Sequence, residues 1–289
     1  MRNLLSRVFV LVANLVLVFG CAISQGVDPF SKAKLESDLF AKSQKLYLQG
    51  DHKRALETIS LAIEREPGRS ELWNGRGFLK IKTNDLRGAL HDISKALELD
   101  AQNSQFRQNL GVVYLEMGRP QEALKELTQV VEVEPKSGLA LNHRGLAYSR
   151  LGEYDKAISD FTTAIALEGS NAVYFMNRAV AYAKSGSAGL AKKDLNRAVD
   201  LKANLKEAYE SRGLIELDQG EFYSAIQDFS KAIALGEGHG VVFYNRAVAL
   251  SMTGDLSGAR TDYQQACSRG ITLACREVAH STLWEKEFR

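Results

Sequence analysis

Residues 138–171 read GLALNHRGLAYSRLGEYDKAISDFTTAIALEGSN, and this stretch decides the fold. Apolar and small residues recur at helical spacing on both sides of Gly152, through Leu141 and Tyr148 before it and from Ala157 after it. Glycine is a residue type that accepts the left-handed conformation at the end of a helix. The stretch therefore predicts two helices joined by a tight turn.

The same pattern recurs along the chain at a fixed period of 34 residues. Alanine stands at seven positions with that spacing, Ala55, Ala89, Ala123, Ala157, Ala191, Ala225 and Ala259. A small residue lies twelve positions before each alanine, at Ser43, Gly77, Gly111, Gly145, Ala179, Gly213 and Ala247. A period of this length indicates a stack of identical two-helix elements. The predicted repeats are 36–69, 70–103, 104–137, 138–171, 172–205, 206–239 and 240–273.

In register, these repeats resemble the tetratricopeptide repeat. Positions are counted from 1 to 34 within each repeat. Trp73, Phe175, Tyr209 and Phe243 occupy position 4, and Tyr114, Tyr148 and Tyr182 occupy position 11. Pro67 and Pro135 occupy position 32. The resemblance implies an all-α, right-handed superhelical solenoid of seven helix-turn-helix repeats, and residues 274–289 are expected to form a helix that caps the last repeat.

Arginine at position 7 and aspartate at position 23 occur together in five repeats. The pairs are Arg76 with Asp92, Arg144 with Asp160, Arg178 with Asp194, Arg212 with Asp228, and Arg246 with Asp262. The first repeat has Lys42 and Thr58 at these positions, and the third has Leu110 and Glu126. The co-occurrence predicts an ion pair between the two helices of each repeat. A row of ligand-binding arginines is the alternative.

The resemblance also implies that the first helices of the repeats line a concave groove. Apolar residues at position 9, amides at position 5 and basic residues at position 13 would bind a peptide or helical segment there. The candidate groove residues are Asn74, Phe78, Lys82, Gln108, Val112, Asn142, Leu146, Arg150, Val180, Lys184, Leu214 and Val248. In the alternative interpretation, the apolar residues pack the first helices against their neighbours and are mostly covered. His143 lies beside the groove and is interpreted as a polar surface group.

Residues 1–21, MRNLLSRVFVLVANLVLVFGC, predict a signal peptide, with Arg2 and Arg7 ahead of an apolar core. Its end, Val18-Phe19-Gly20-Cys21, resembles the lipobox of bacterial lipoproteins, although Phe19 departs from the usual small residue. The resemblance implies lipidation of Cys21 and a tether over residues 22–35. Alternatives are cleavage without lipidation and an uncleaved N-terminal anchor. The expected location is the cell envelope, facing the periplasm, with the outer membrane favoured over the inner because no aspartate follows Cys21.

Cys267 and Cys275 flank Gly270, which can end a helix and bring the two sulfurs together. Their Ala-Cys…Ala-Cys spacing resembles Sel1-like repeats, and a disulfide is expected in an oxidising envelope. Two buried thiols are the alternative. Trp284 is expected to cover the end of the last repeat.

No signature of catalysis is found in the sequence. The five histidines lack metal-ligand spacing, and no phosphate loop, HExxH or GxSxG motif is present. Without residues 1–21 the basic and acidic residues balance at 35 each, which disfavours nucleic acid as a partner. No enzyme activity, cofactor, metal or small-molecule substrate is expected.

The expected function is therefore a scaffold or adaptor that binds other proteins and is held at the membrane by a lipid anchor. Lipoproteins with such repeats include adaptors for peptidoglycan enzymes and pilotins, and no residue chooses between these classes. The alternative is a self-assembling structural protein whose groove is filled by its own tether or by a second copy.

Overall fold

The computed structural model describes residues 39–236 and 238–287, with side chains to Ala279. The predicted signal peptide, Cys21 and the predicted tether lie outside these residues, and so does the side chain of Trp284. The described part contains helices and no strand, as an all-α fold requires. It comprises two compact units, residues 39–169 and residues 170–287, named here the N-terminal unit and the C-terminal unit.

The N-terminal unit contains eight helices among the described residues. They are α1 (Leu39–Leu48), α2 (His52–Arg65), α3 (Ser70–Lys82), α4 (Leu86–Leu99), α5 (Ser104–Glu116), α6 (Pro120–Val133), α7 (Gly138–Arg150) and α8 (Tyr154–Leu167). Each odd-numbered helix packs against the next to form a pair, and consecutive pairs stack.

The C-terminal unit continues the same arrangement. Its helices are α9 (Ala172–Lys184), α10 (Ala188–Leu201), α11 (Lys206–Asp218), α12 (Phe222–Ala234), α13 (Gly240–Thr253), α14 (Leu256–Ser268) and α15 (Thr272–Glu287). The final helix begins two residues before the start expected from the sequence. Helix α15 packs against α14, which places it after the last pair.

The turn inside each pair depends on a left-handed residue. Gly152 has φ 78°, and Asn84 takes φ 62° at the equivalent turn between α3 and α4. Asn is the non-glycine residue best suited to this conformation, so the turn is preserved without glycine. Asp85 follows and accepts a hydrogen bond from the backbone N–H of Gly88 at 2.9 Å, which caps the start of α4.

Close approach of the two helices explains the repeated small residues. The seven alanines at position 20 are at most 2% exposed. A Cβ added to Gly145 would lie 2.7 Å from the nearest ring carbon of Phe161, and one added to Gly111 would lie 2.6 Å from Leu127. The small residue at position 8 therefore leaves room for the large side chain at position 24 of the same repeat.

Candidate protein-binding surface

The first helices of successive repeats contact one another directly. In the N-terminal unit, α3 contacts α5 and α5 contacts α7; in the C-terminal unit, α9 contacts α11 and α11 contacts α13. We call the surface formed by these helices the first-helix face of each unit. All twelve candidate groove residues lie on these six helices.

Half of the candidate groove residues are buried. Asn74, Phe78, Gln108, Val112, Asn142 and Leu214 are each between 0% and 6% exposed. Their assignment to an accessible groove therefore has to be corrected. The physical reason is the direct contact between first helices, which covers the side chains at positions 5 and 9 of most repeats.

The buried amides of the N-terminal unit make hydrogen bonds between repeats. Nδ2 of Asn109 donates to Oδ1 of Asn74 at 2.9 Å, and Nε2 of Gln108 lies 3.0 Å from Nδ1 of His143. Each bond joins position 5 of one repeat to position 6 of the next. Asn74 and Gln108, which the sequence analysis assigned to peptide binding, bind the neighbouring repeat instead.

His143 is not a surface group, contrary to the sequence interpretation. Its side chain is 0% exposed, and its ring nitrogen meets the amide of Gln108. A buried polar group needs such a partner because desolvation without a hydrogen bond is costly. The sequence signal was present, since a histidine at position 6 follows a glutamine at position 5 by 35 residues.

The other six candidates are half-buried and so remain accessible. They are Lys82, Leu146, Arg150, Val180, Lys184 and Val248. In the C-terminal unit, burial lowers the pKa of the Lys184 ammonium, a cost that a bound anionic or hydrogen-bond-accepting group would offset. Accessible apolar and basic side chains on the same helices are the features expected of a surface that binds a polypeptide.

The basic candidate residues of the N-terminal unit, Lys82 and Arg150, already contact other groups of the protein. Nζ of Lys82 lies 5.2 Å from the centre of the Phe78 ring, and Arg150 donates to the carbonyl of Leu115. Glu116 lies between them in repeat register, with its Oε1 3.9 Å from Nη2 of Arg150. Burial raises the pKa of Glu116, while Arg150 and Lys82 oppose that shift. Position 13 of the N-terminal unit therefore carries both positive and negative charges.

The structure brings each position-7 arginine together with its aspartate. In all five repeats, Nε and Nη2 of the arginine donate to the two carboxylate oxygens at 2.6–2.9 Å. The arginine side chains are only 16–21% exposed and the aspartates 0–9%. Each pair is mostly buried, and both carboxylate oxygens accept hydrogen bonds from the arginine. These ion pairs therefore join the two helices of each repeat.

Two further kinds of contact made by these arginines were not predicted from the sequence. Each guanidinium lies over an aromatic ring of its own first helix, as Arg76 does over Trp73 at 5.0 Å from the ring centre. In the repeats of Arg76, Arg212 and Arg246, Nη1 also donates to the residue at position 25 of the preceding repeat. The acceptors are Ser60 for Arg76, Asn196 for Arg212 and Ser230 for Arg246. The recurrence of aromatic residues at positions 4 and 11 was the available signal for the ring contact.

The third repeat forms its ion pair with an arginine that lies one helical turn earlier. Leu110 replaces the arginine, and Glu126 accepts a hydrogen bond from Nη1 of Arg107 at 2.9 Å. Position 4 thus provides the cation where position 7 does not. The pair was not predicted, because Arg107 occupies a position that is aromatic in four other repeats.

Cys267 and Cys275 meet at the end of the C-terminal unit. Helix α14 ends at Ser268, Gly270 takes φ 88°, and the chain reverses so that the two Cα atoms lie 4.8 Å apart with the sulfurs bonded. Cys267 also borders an apolar cluster that contains Tyr244 and Ala274. The connection ties α15 to α14.

The chain resembles known proteins both in part of its sequence and in its fold. The sequence profile of the tetratricopeptide repeat matches residues 108–172 and 143–206. Residues 108–206 thus match the tetratricopeptide repeat family, and the described part of the chain has the all-α fold of its members. No curated protein matches the chain in sequence. The Sel1-like resemblance of the last repeat stays a prediction.

Solved structures of tetratricopeptide repeat proteins share the fold. A tetratricopeptide repeat protein from Parabacteroides merdae ATCC 43184 is 22% identical, with a TM-score of 0.66 over 83% of this chain and 96% of its own. PilW, a type IV pilus biogenesis factor, is 19% identical, with a TM-score of 0.63 over 68% of this chain and 91% of its own. A chain of the APC/C hetero-tetramer Cut9–Hcn1 is 15% identical, with a TM-score of 0.74 over 92% of this chain and 54% of its own.

Tetratricopeptide repeat proteins are in general scaffolds for interactions with other proteins and peptides. Within the part of the chain that the structure describes, no helix is long and apolar enough to span a membrane. The same part holds no cluster of three or more His, Cys, Asp or Glu side chains arranged to bind a metal ion.

Proposed function

We propose that this protein is a non-catalytic adaptor of the cell envelope, which binds a peptide or helical segment of another protein on its first-helix face. The observation that carries the proposal is the half-buried apolar residue at position 9 of each unit's first-helix face, Leu146 in the N-terminal unit and Val180 and Val248 in the C-terminal unit. Such residues retain accessible apolar surface that a partner segment can cover.

The envelope location rests on the N-terminal sequence. A basic start, an apolar core and the lipobox-like end at Cys21 support export and lipid anchoring, with the protein facing the periplasm at the outer membrane in preference to the inner. Lipid modification of Cys21 would provide the acyl chains that stable anchoring needs. From that position the adaptor assists the assembly of an envelope machine. Nucleic acids, cofactors and small-molecule substrates have no part in this proposal.

The binding proposal is tested by crosslinking in native membranes followed by affinity capture. Leu146→Gln and Val180→Gln, in separate variants, should each reduce the crosslinked partner at least fivefold. Leu61→Gln is the matched control, because Leu61 is 49% exposed on the second helix of the first repeat and should capture as wild type does. Circular dichroism establishes that all variants stay folded. Equal capture by all four proteins would move the interface away from the first-helix face.

The location is tested separately by fractionation. Cys21→Ala should abolish labelling by an alkynyl palmitate analogue and release the protein from the membrane fraction. Labelling that persists in this variant would contradict lipidation at Cys21, and retention without labelling would indicate the uncleaved anchor.

A further inference from the structure

The C-terminal unit carries a carboxylate where the N-terminal unit carries amides. Position 5 is Asn74, Gln108 or Asn142 in α3, α5 and α7, but it is Glu210 in α11. Helix α11 is the middle first helix of its unit and contacts both α9 and α13. Glu210 therefore lies at the centre of the C-terminal first-helix face.

One carboxylate oxygen of Glu210 lacks the hydrogen-bond donor that a buried carboxylate oxygen requires. The residue is 4% exposed, and its Oε1 is buried without any hydrogen-bond donor. The nearest cation is Nζ of Lys206, which lies 4.0 Å from Oε1, one helical turn earlier and outside hydrogen-bond distance. By comparison, the Asn74 amide of the N-terminal unit receives a hydrogen bond from the next repeat.

Burial of the Glu210 carboxylate disfavours its charged form and so changes its pKa. The pKa of Glu210 is raised to about 7, mainly because the group is buried; Lys206 opposes this rise and Glu207 contributes to it. The second buried glutamate of α11 differs, because Glu216 has Nζ of Lys192 at 3.3 Å. Glu210 is thus the buried acid of this helix that an added cation would stabilise most.

The surroundings of Glu210 specify the rest of the ligand. Leu214 lies one turn later on the same side of α11, and Val180 and Val248 occupy the equivalent position in the adjacent first helices. The two valines are half-buried, so apolar surface remains accessible on the first helices that contact α11. A side chain with an apolar stem and a cationic end matches this combination.

We propose that Glu210 is a specificity-determining residue that selects a lysine or arginine, flanked by apolar residues, in the polypeptide segment that the C-terminal unit binds. The inference rests on the proposed binding function. Because Oε1 of Glu210 is buried in the unbound chain, binding requires a change of side-chain rotamer at this face. The ammonium or guanidinium of the ligand then donates to Oε1 and supplies the countercharge that Lys206 is too distant to provide. Removing the ligand's charge would leave the carboxylate buried and uncompensated, which makes discrimination strong.

The test uses the full chain in detergent, immobilised and panned with a phage-displayed dodecapeptide library. The same selection is run on Glu210→Gln, which keeps the side-chain shape, and on Glu207→Gln, which removes a charge of the same sign from the same helix. Selected peptides are then titrated by calorimetry beside synthetic twins in which lysine is replaced by norleucine or arginine by citrulline.

We expect the wild type and Glu207→Gln to select peptides with a basic residue between apolar ones. The norleucine and citrulline peptides should bind to these two proteins at least tenfold more weakly than the selected peptides do. Glu210→Gln should bind the charged and neutral peptides equally. Selected peptides without a basic residue, or the same charge preference in Glu210→Gln, would overturn the role of Glu210 while leaving segment binding intact. Failure of every protein to enrich any peptide would overturn the proposed function and this inference with it.

Discussion

Arg246 and Asp262 are joined by two parallel hydrogen bonds, from Nε to Oδ2 at 2.6 Å and from Nη2 to Oδ1 at 2.8 Å. The third nitrogen, Nη1, donates to Oγ of Ser230 at 3.0 Å. One guanidinium therefore connects α13, α14 and α12. The repetition of this pair in five of the seven repeats means that the polar core of the fold is as periodic as its apolar core.

Removal of the buried Asp262 carboxylate should lower the free energy of unfolding more than removal of an exposed carboxylate does. Asp262→Ala leaves Arg246 without its countercharge, and we expect a loss of about 2–4 kcal/mol in the free energy of unfolding, because the arginine keeps some solvent contact. Urea unfolding measures this loss. Asp218→Ala, at an exposed position, should change stability by less than about 0.5 kcal/mol.

A paired replacement separates the charge effect from the packing effect. Arg246→Met combined with Asp262→Leu removes both charges and should recover much of the stability lost in Asp262→Ala. If Asp262→Ala were no more destabilising than Asp218→Ala, the ion pair would have no structural role.

Gly145→Ala should destabilise the N-terminal unit by about 1–3 kcal/mol, because the added methyl group would overlap the Phe161 ring. Combination with Phe161→Leu should restore stability, since the fifth repeat already pairs Ala179 with Leu195. Thermal unfolding of both variants is the measurement.

Gly189→Ala is the control for the glycine itself. It lies in α10 with no atom near its missing Cβ, so the substitution should stabilise the helix by up to about 1 kcal/mol. If Gly145→Ala were equally stabilising, the contact of position 8 with position 24 would not be tight.

Reduction of the Cys267–Cys275 bond should loosen the last helix. The bond closes a short loop with a sequence separation of 8, and its loss is expected to cost about 2–3 kcal/mol. Hydrogen exchange should report faster exchange in α15 than in α13 after reduction. The double variant Cys267→Ser with Cys275→Ser should exchange like the reduced protein and be insensitive to reductant; equal protection of α15 in all states would show that packing alone holds it.

Stability should fall as pH rises through neutrality because of Glu210. Its pKa is raised from 4.5 to about 7, so the folded chain retains a proton that the unfolded chain releases. The group's contribution is complete below about pH 4.5 and is lost as pH rises past 7, a difference on the order of 3 kcal/mol.

Glu210→Gln removes this dependence and should be more stable than the wild type at pH 8, but not at pH 4.5. Urea unfolding at the two pH values measures the change, with Glu207→Gln as the control for loss of charge on α11. Burial also raises the pKa of Glu216, so a smaller slope of the same sign should persist in Glu210→Gln. Parallel pH profiles for the wild type and Glu210→Gln would contradict the assignment.

Much of the fold could be predicted because its signals are local. The period of alanine, the glycine at the turn and helical spacing depend on contacts within one repeat, and these recur at fixed distances along the sequence. The two-helix repeat and the all-α stack therefore followed from residues such as Ala157 and Gly152 alone.

The candidate surface was less predictable because burial depends on the neighbouring repeat. Val112 and Leu146 occupy the same repeat position and have the same apolar character, yet one is 1% exposed and the other half-buried. Residue type and repeat position do not encode this difference, because burial depends on the surrounding tertiary structure.

The sequence by itself determined the helices, their turns and the pairing of arginine with aspartate, since each depends on residues at most one repeat apart. Only the tertiary structure decided that Asn74 and Gln108 bind other repeats, that His143 is buried and that Glu210 is buried without a hydrogen-bond donor to its Oε1. The physical reason is that desolvation depends on every surrounding helix at once, whereas helix formation depends chiefly on residues three or four positions apart.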